Sequence, residues 1–380
     1  MPKIFTLGLK ESIDNSSSLQ TKDLYNAVGQ NSGNLAFHYA INRLLGTVPP
    51  TAPWGSDAAT IDGMGEIGII PCANQLGSHT DMTGLALNLH GVNCKLAAIG
   101  LGAQSGVDLG TIPEIPQGTL EWIRQVIARA ASSAPNIAVR GDFTLQVLEE
   151  YGFSGKAVSL GCPSLLINKS SNLGEQLESR YKSTYRKVAI AAGHVNWLEM
   201  SRLEASLIRI MEDTEGAYIV QSTDEPLALS RGDFGYVDGS YTDKLRNYLK
   251  LNLDDAQFKN WIRKYFISFY NVPAWMEYLR RFDFVIGSRI HGVMLGLQAG
   301  VPGLCIAHDS RIREICEKGK IPFVMAHQVQ NGITLRDIQN LIDFNGVDFD
   351  KNRASIAAQY KAFFSNNGIT IPDAIKFAVA

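Results

Sequence analysis

The chain has no surplus of either charge and few charges in all. Lysine and arginine total 35 against 37 aspartates and glutamates, a formal net charge of -2, and charged residues make up only 19% of its 380 positions. No global positive field exists to hold a polyanion, so nucleic acid is excluded as the main partner and only a local basic cleft remains open. Cysteine is scarce and scattered over Cys72, Cys94, Cys162, Cys305 and Cys316. No CxxC pair occurs, which argues against both structural zinc and a disulfide framework. The seven histidines include no H-x-x-x-H pair, and no carboxylates gather at ligand spacing. Neither a metal nor any other cofactor is expected.

Long apolar runs are also missing. The apolar stretch within residues 1–10 is too short for a signal peptide, and Gly292 to Ala307 is interrupted by Gln298 and Pro302. Repeats, low-complexity tracts and heptads are absent. The expectation is a soluble, cytoplasmic protein. At this length, two domains are expected rather than one.

What is present is alternation. Short apolar runs trade places with helical patterns, the mark of βαβ units and parallel sheets. Strands are expected at Ile4–Leu9, Leu96–Leu101, Ile137–Arg140 and Ala157–Gly161, with helices at Asn34–Leu45, around Leu120–Ile127 and at Asp142–Tyr151. Asn168 to Lys187 is polar and reads as poor in core, so the domain boundary is placed there. A second alternating set follows, with strands at Val188–Ala192, Tyr218–Val220, Phe282–Ile286 and Gly303–Ala307. The pattern predicts an α/β protein of two doubly wound, Rossmann-like domains facing a cleft, over 1–180 and 181–345. A C-terminal helical segment, 346–380, is expected to lie near their junction. Ligand belongs at the carboxyl ends of the strands.

The most informative segment is Phe282 to Gly292. An apolar strand enters a Gly287-Ser288 turn, and Arg289 and His291 then open a helix of small residues. Free N–H groups and the positive end of the helix dipole attract anions there. Arg289 adds a planar fork suited to carboxylate or phosphate, and His291 a group that exchanges a proton near neutrality. The plainer reading has Arg289 ending the strand and His291 satisfied in the core.

Arg289-Ile290-His291-Gly292, the helix ending Ala299-Gly300-Val301-Pro302, and Ile306 to Arg311 together resemble the polysaccharide pyruvyl transferase family. Asn31-Ser32-Gly33-Asn34 looks like that family's amino-terminal Asn-x-Gly-Asp turn, and Ile99-Gly100-Leu101-Gly102 like its glycine-rich strand end. Val139 to Thr144 and Gly161-Cys162-Pro163-Ser164 agree in order and spacing. The resemblance runs from about residue 30 to 325. It implies a GT-B-like fold and transfer of enolpyruvyl from phosphoenolpyruvate to two hydroxyls of a sugar, giving a pyruvate ketal. It also implies that Arg289 and His291 hold the donor and take part in catalysis. The acceptor would be a nucleotide- or lipid-linked precursor of a cell-surface polysaccharide, taken on the first domain, while the second holds phosphoenolpyruvate. A lipid-linked acceptor would bring the protein to the inner face of the membrane as a peripheral visitor.

Two departures stand out. Asn34 occupies a place where the family more often has Asp, and His194 follows a strand after which the family often has arginine. Arg140, Gly33, Gly102, Ser288, Asp309 and Arg311 complete the substrate-binding candidates, all at strand or turn ends. Arg140 could instead pair with Asp142, and Arg311 could belong to a solvated helix face. Cys162 and Cys305 read as buried packing, and the aromatic residues from Tyr265 to Tyr278 as core. The competing functions are a GT-B glycosyltransferase using a nucleotide sugar and a catalytically silent sugar-binding relative.

Overall fold

The computed structural model describes residues 2–106, 109, 111–181 and 184–371. It contains two six-stranded sheets whose strands all run parallel. The first comprises β1 (Ile4–Leu7), β2 (Thr51–Ala52), β3 (Ile67–Pro71), β4 (Lys95–Leu101), β5 (Ile137–Val139) and β6 (Ala157–Ser159). The second comprises β7 (Val188–Ala191), β8 (Ala217–Ile219), β9 (Phe266–Ile267), β10 (Phe284–Gly287), β11 (Gly303–Ala307) and β12 (Phe323–Met325). Helices cover both faces of each sheet, which is why the central strands are buried along nearly their whole length. The fold is α/β with two Rossmann-like units, as the alternating pattern predicts.

Strand order decides where a ligand can sit. The first sheet runs β2-β1-β3-β4-β5-β6 and the second β12-β11-β10-β7-β8-β9. Winding therefore reverses between β1 and β3 in one half and between β7 and β10 in the other, and each reversal opens a crevice beyond the strand ends. Gly287 closes β10 where nothing larger fits. A Cβ there would stand 2.1 Å from the Ala191 carbonyl oxygen of β7.

The polar stretch before β7 departs from expectation. Leu173, Leu177 and Tyr185 are buried in it, because helix Leu173–Glu178 points one apolar side inward and its charges outward. That helix docks on the long helix Gly346–Asn366, where Asp350 accepts the Gly174 N–H at 2.8 Å. From there the last helix runs back over the first domain. Tyr360 donates to the Gly161 carbonyl at 2.9 Å, and buried Arg353 donates to the carbonyls of Leu165, Asn168 and Ser170. Tyr265, Phe266 and Trp275 are buried, with Phe269, Tyr270 and Tyr278 packed against the cores, so the aromatic run is structural.

Candidate functional site

Both crevices open into one cavity of about 510 Å³. From the second domain it takes Ser288, Arg289 and His291 after β10, Gln221 beyond β8, and His308 and Arg311 beyond β11. Arg289 is the N-cap residue of helix Ile290–Gln298, and its Nε and Nη2 are buried without a partner. Its guanidinium lies 5.2 Å from the Trp197 ring. Burial first, then neighbouring Arg311, pushes its pKa down to about 10, so it stays charged at neutral pH. Arg311 likewise has an unpartnered Nε, while its Nη2 meets Asp309 at 3.1 Å. Gln221 Nε2 and Ser288 Oγ are also buried and unpartnered. An unsatisfied buried donor costs ~1–3 kcal/mol, more when charged, so this cluster is built for an acceptor-rich ligand.

His291 sits in the first turn of the same helix. Its Nε2 is 3.6 Å from Cys162 Sγ, and its ring is 5.6 Å from Phe37. Burial first, and then Arg140 and Arg311, hold its pKa well below the usual histidine value. The imidazole is therefore neutral.

Arg140 enters from the end of β5 and lines the cavity, though not through a salt bridge with Asp142. Its Nε donates to Gly100 O at 2.6 Å and its Nη2 to Cys72 O at 3.0 Å, tying three strand ends together. Asp142 pairs instead with Lys318 at 3.3 Å. Asn34 also lines the cavity, and its Nδ2 donates to the carbonyls of Val28 and Gly29 at 3.1 and 3.0 Å. A carboxylate could make neither bond.

The other candidates stand outside this wall. Gly33 is a point of close approach between the domains, where a Cβ would come within 2.7 Å of Gln221 Oε1 and 3.3 Å of His291 Cβ. Gly102 lies behind Arg140, whose Cδ would be 3.0 Å from a Cβ there. Asp309 caps helix Ser310–Gly319 by accepting the Ile312 N–H at 2.8 Å. It lines an adjoining cavity of about 410 Å³ that shares Arg289, His308 and Arg311 with the first. His194 supports Trp197 from behind with rings 5.3 Å apart, and burial followed by the charge of Arg289 lowers its pKa to about 4.

Sequence reasoning missed Gln221 and His308, both polar and just beyond strand ends, where the crevice rule would have flagged them. Cys162 is buried as expected, yet its thiol faces His291 rather than only apolar neighbours. Glu314 is a further omission. It reaches out of the second domain to accept the Thr144 N–H and hydroxyl of the first, at 3.0 and 2.5 Å. Burial drives its pKa up to about 7.

A family model described as polysaccharide pyruvyl transferase matches residues 61–310. The chain belongs to the polysaccharide pyruvyl transferase family. The match begins in the helix ahead of β3 and ends at the first residue of the helix that bears Arg311. A search among curated proteins finds no match. Among solved structures the chain is similar to S. aureus MnaA in complex with UDP, at 11% identity and TM-score 0.44, covering 98% of this chain and 100% of that one. It is also similar to a UDP-N-acetylglucosamine 2-epimerase, at 10% identity and TM-score 0.40, with 98% of each chain covered. A putative UDP-N-acetylglucosamine 2-epimerase from Listeria monocytogenes follows at 10% identity and TM-score 0.39, covering 99% and 93%.

Proposed function

We propose that this protein moves the enolpyruvyl group of phosphoenolpyruvate onto two hydroxyls of one sugar, forming a pyruvate ketal. The observation that carries the reading is the unpartnered pair of nitrogens on Arg289, beside Arg311 Nε and a neutral His291, in one cavity. The donor brings a carboxylate and a phosphate, and the planar forks of arginine suit both.

In the reaction, carbon 3 gains a proton and carbon 2 becomes electron-poor. A sugar oxygen bonds carbon 2, the bond from carbon 2 to the phosphate oxygen breaks, and a second hydroxyl closes the ring. Two hydroxyl protons are lost, of which carbon 3 accounts for one and the departing phosphate for the other. His291 is the proton carrier in this scheme. Burial is the main cause of its lowered pKa, with Arg140 and Arg311 adding to it; a bound donor anion offsets the arginines' share and so raises the ring's proton affinity when the substrate is in place. No metal or cofactor enters the scheme.

The acceptor sugar is carried on a nucleotide or a lipid, and the reaction belongs on the cytoplasmic face of the membrane. No described helix is long and apolar enough to cross a membrane, which fits peripheral contact.

Thermal melting tests the donor. Phosphoenolpyruvate at 100 times its dissociation constant stabilises the wild type by ~2.7 kcal/mol, and Arg289→Ala loses that shift. Stabilisation by a uridine diphosphate sugar alone would replace this reading with glycosyl transfer. Turnover of any sugar disposes of a silent relative.

A further inference from the structure

Helix Asp142–Glu150 follows Arg140 and starts on Gly141, which has no side chain to cap the free N–H groups of the first turn. The cap comes from the other domain. Glu314 Oε2 accepts the Thr144 N–H at 3.0 Å, and Oε1 accepts the Thr144 hydroxyl at 2.5 Å. Thr144 Oγ1 in turn accepts the Ala103 N–H, just beyond β4, at 2.8 Å. A carboxyl group suits this place, because the helix dipole turns its positive end toward it. The approach is close: a Cβ on Gly141 would stand 2.6 Å from Glu314 Oε2 and 2.8 Å from Glu314 Cβ. Glycine is needed at 141 for the room it leaves, since its backbone is extended.

A second anchor lies one turn earlier. Ser310 Oγ accepts the Ser105 N–H at 2.9 Å, so one face of helix Ser310–Gly319 is fastened to the first domain twice. Arg311 stands between these anchors in the chain, and Arg140 stands directly before Gly141. Both arginines line the cavity, one from each domain, and both add to the burial that lowers the His291 pKa. Glu314 itself lines neither cavity. It joins the backbone that carries one cation to the backbone that carries the other.

We propose that Glu314 is a positioning residue for the anion site: by capping a first-domain helix from the second domain, it sets the spacing of Arg140 and Arg311 about the bound donor. The proposal rests on the donor reading above. A negative charge this near the arginines would, by its field alone, weaken anion binding. Field and positioning therefore predict opposite signs when the carboxylate is removed.

The test is titration calorimetry with phosphoenolpyruvate and, separately, with inorganic phosphate. The proteins are wild type, Glu314→Ala, Glu314→Gln, Thr144→Val, Glu314→Ala with Thr144→Val, and Asn367→Ala. Glu314→Ala is expected to weaken both anions about tenfold. Glu314→Gln keeps wild-type affinity or better, because its amide still accepts the Thr144 N–H and donates to the hydroxyl oxygen. The double variant loses no more than the worse single one, as for two halves of one contact. Asn367→Ala cuts the bond to Pro135 at another junction, and so lowers the melting temperature while leaving anion affinity alone. Where Glu314→Ala does not fold, Thr144→Val carries the comparison, with Thr144→Ser as its rescue. Tighter binding in both Glu314 variants overturns the proposal, since the carboxylate then acts through its field. So do unchanged affinity in Glu314→Ala, a loss that Glu314→Gln does not restore, or an equal loss in Asn367→Ala. Phosphate bound by wild type and lost in Glu314→Ala, with no binding of phosphoenolpyruvate, leaves the clasp standing and removes the donor reading. Binding of neither anion by wild type removes both.

Discussion

The two halves of the molecule are built alike and finished differently. Each is a six-stranded parallel sheet with one reversal of winding, and the crevice at each reversal faces the other. Beyond β10 and β11, the second domain places Arg289, His291 and Arg311, with donors left unpaired. Beyond β1, β2 and β3, the first places neutral amides, three of them held by backbone bonds, and the indole of Trp54, with Arg140 entering from β5. On the function proposed above, the same architecture serves an anion on one side and hydroxyls on the other, and the difference lies in a handful of residues after strand ends. Fold sets the places and chemistry fills them.

The sharpest way to break the comparison is at the charged side. His291→Asn should lower kcat ~10²–10⁴-fold while phosphoenolpyruvate still raises the melting temperature, because donor binding rests on the arginines. Coupled measurement of phosphate release beside the melting curve separates the two effects. Loss of both together would mean that the histidine mainly holds the site in shape.

A smaller effect belongs to the joint between the halves. The Glu314 carboxyl has its pKa raised to about 7, chiefly by burial, with the Thr144 hydrogen bonds opposing. Its folded value lies above the unfolded one, so its contribution to stability is complete below about pH 4.5 and is lost as pH rises through 7. The loss amounts to roughly 3 kcal/mol. His38 and His308, whose pKa values are depressed, act in the opposite sense and favour the fold as pH rises. Glu314→Gln should therefore flatten the decline above pH 5 relative to wild type, and the difference between the two melting-versus-pH curves isolates this group. Parallel curves would show that the carboxyl titrates normally.

The mildest change sharpens the neutral side. Gly8, with φ +125°, lies against Trp54, and Gly8→Ala should cost ~1–2 kcal/mol of stability from the left-handed backbone alone. By displacing Trp54 it should also raise the acceptor KM and leave kcat in place. Steady-state kinetics at saturating phosphoenolpyruvate reads this directly, and an unchanged KM would show that the indole plays no part in holding the acceptor.

Much of the scaffold was legible in the sequence because its signals are local. Helix Asn34–Leu45 carries one apolar stripe and stops at Gly46, which adopts φ +71°, and β11 occupies the expected residues Gly303 to Ala307. Thr334 and Asp337, at capping-box spacing in the sequence, form that box ahead of helix Leu335–Leu341. Strands β2, β3, β9 and β12 went unseen; β2 and β9 are two residues long, too short for periodicity to register. The site divided along the same line. Arg289 and His291 share one turn and could be read together. Gln221, Trp54 and Glu314 matter only through partners far along the chain, and no spacing rule connects them. Asn34 looked like the loss of a carboxylate, whereas the fold uses its amide for two bonds that only a donor can make.

The last helix has a consequence for how the molecule comes into being. Tyr360 meets Gly161 across 199 positions, Asn367 Nδ2 donates to Pro135 O at 3.0 Å, and one continuous core runs from Val28 and Ile67 to Phe364. The amino-terminal sheet therefore lacks part of its wall until the final turns have been synthesised. The first domain of a growing chain thus gains the last of its wall only after the whole of the second has been made.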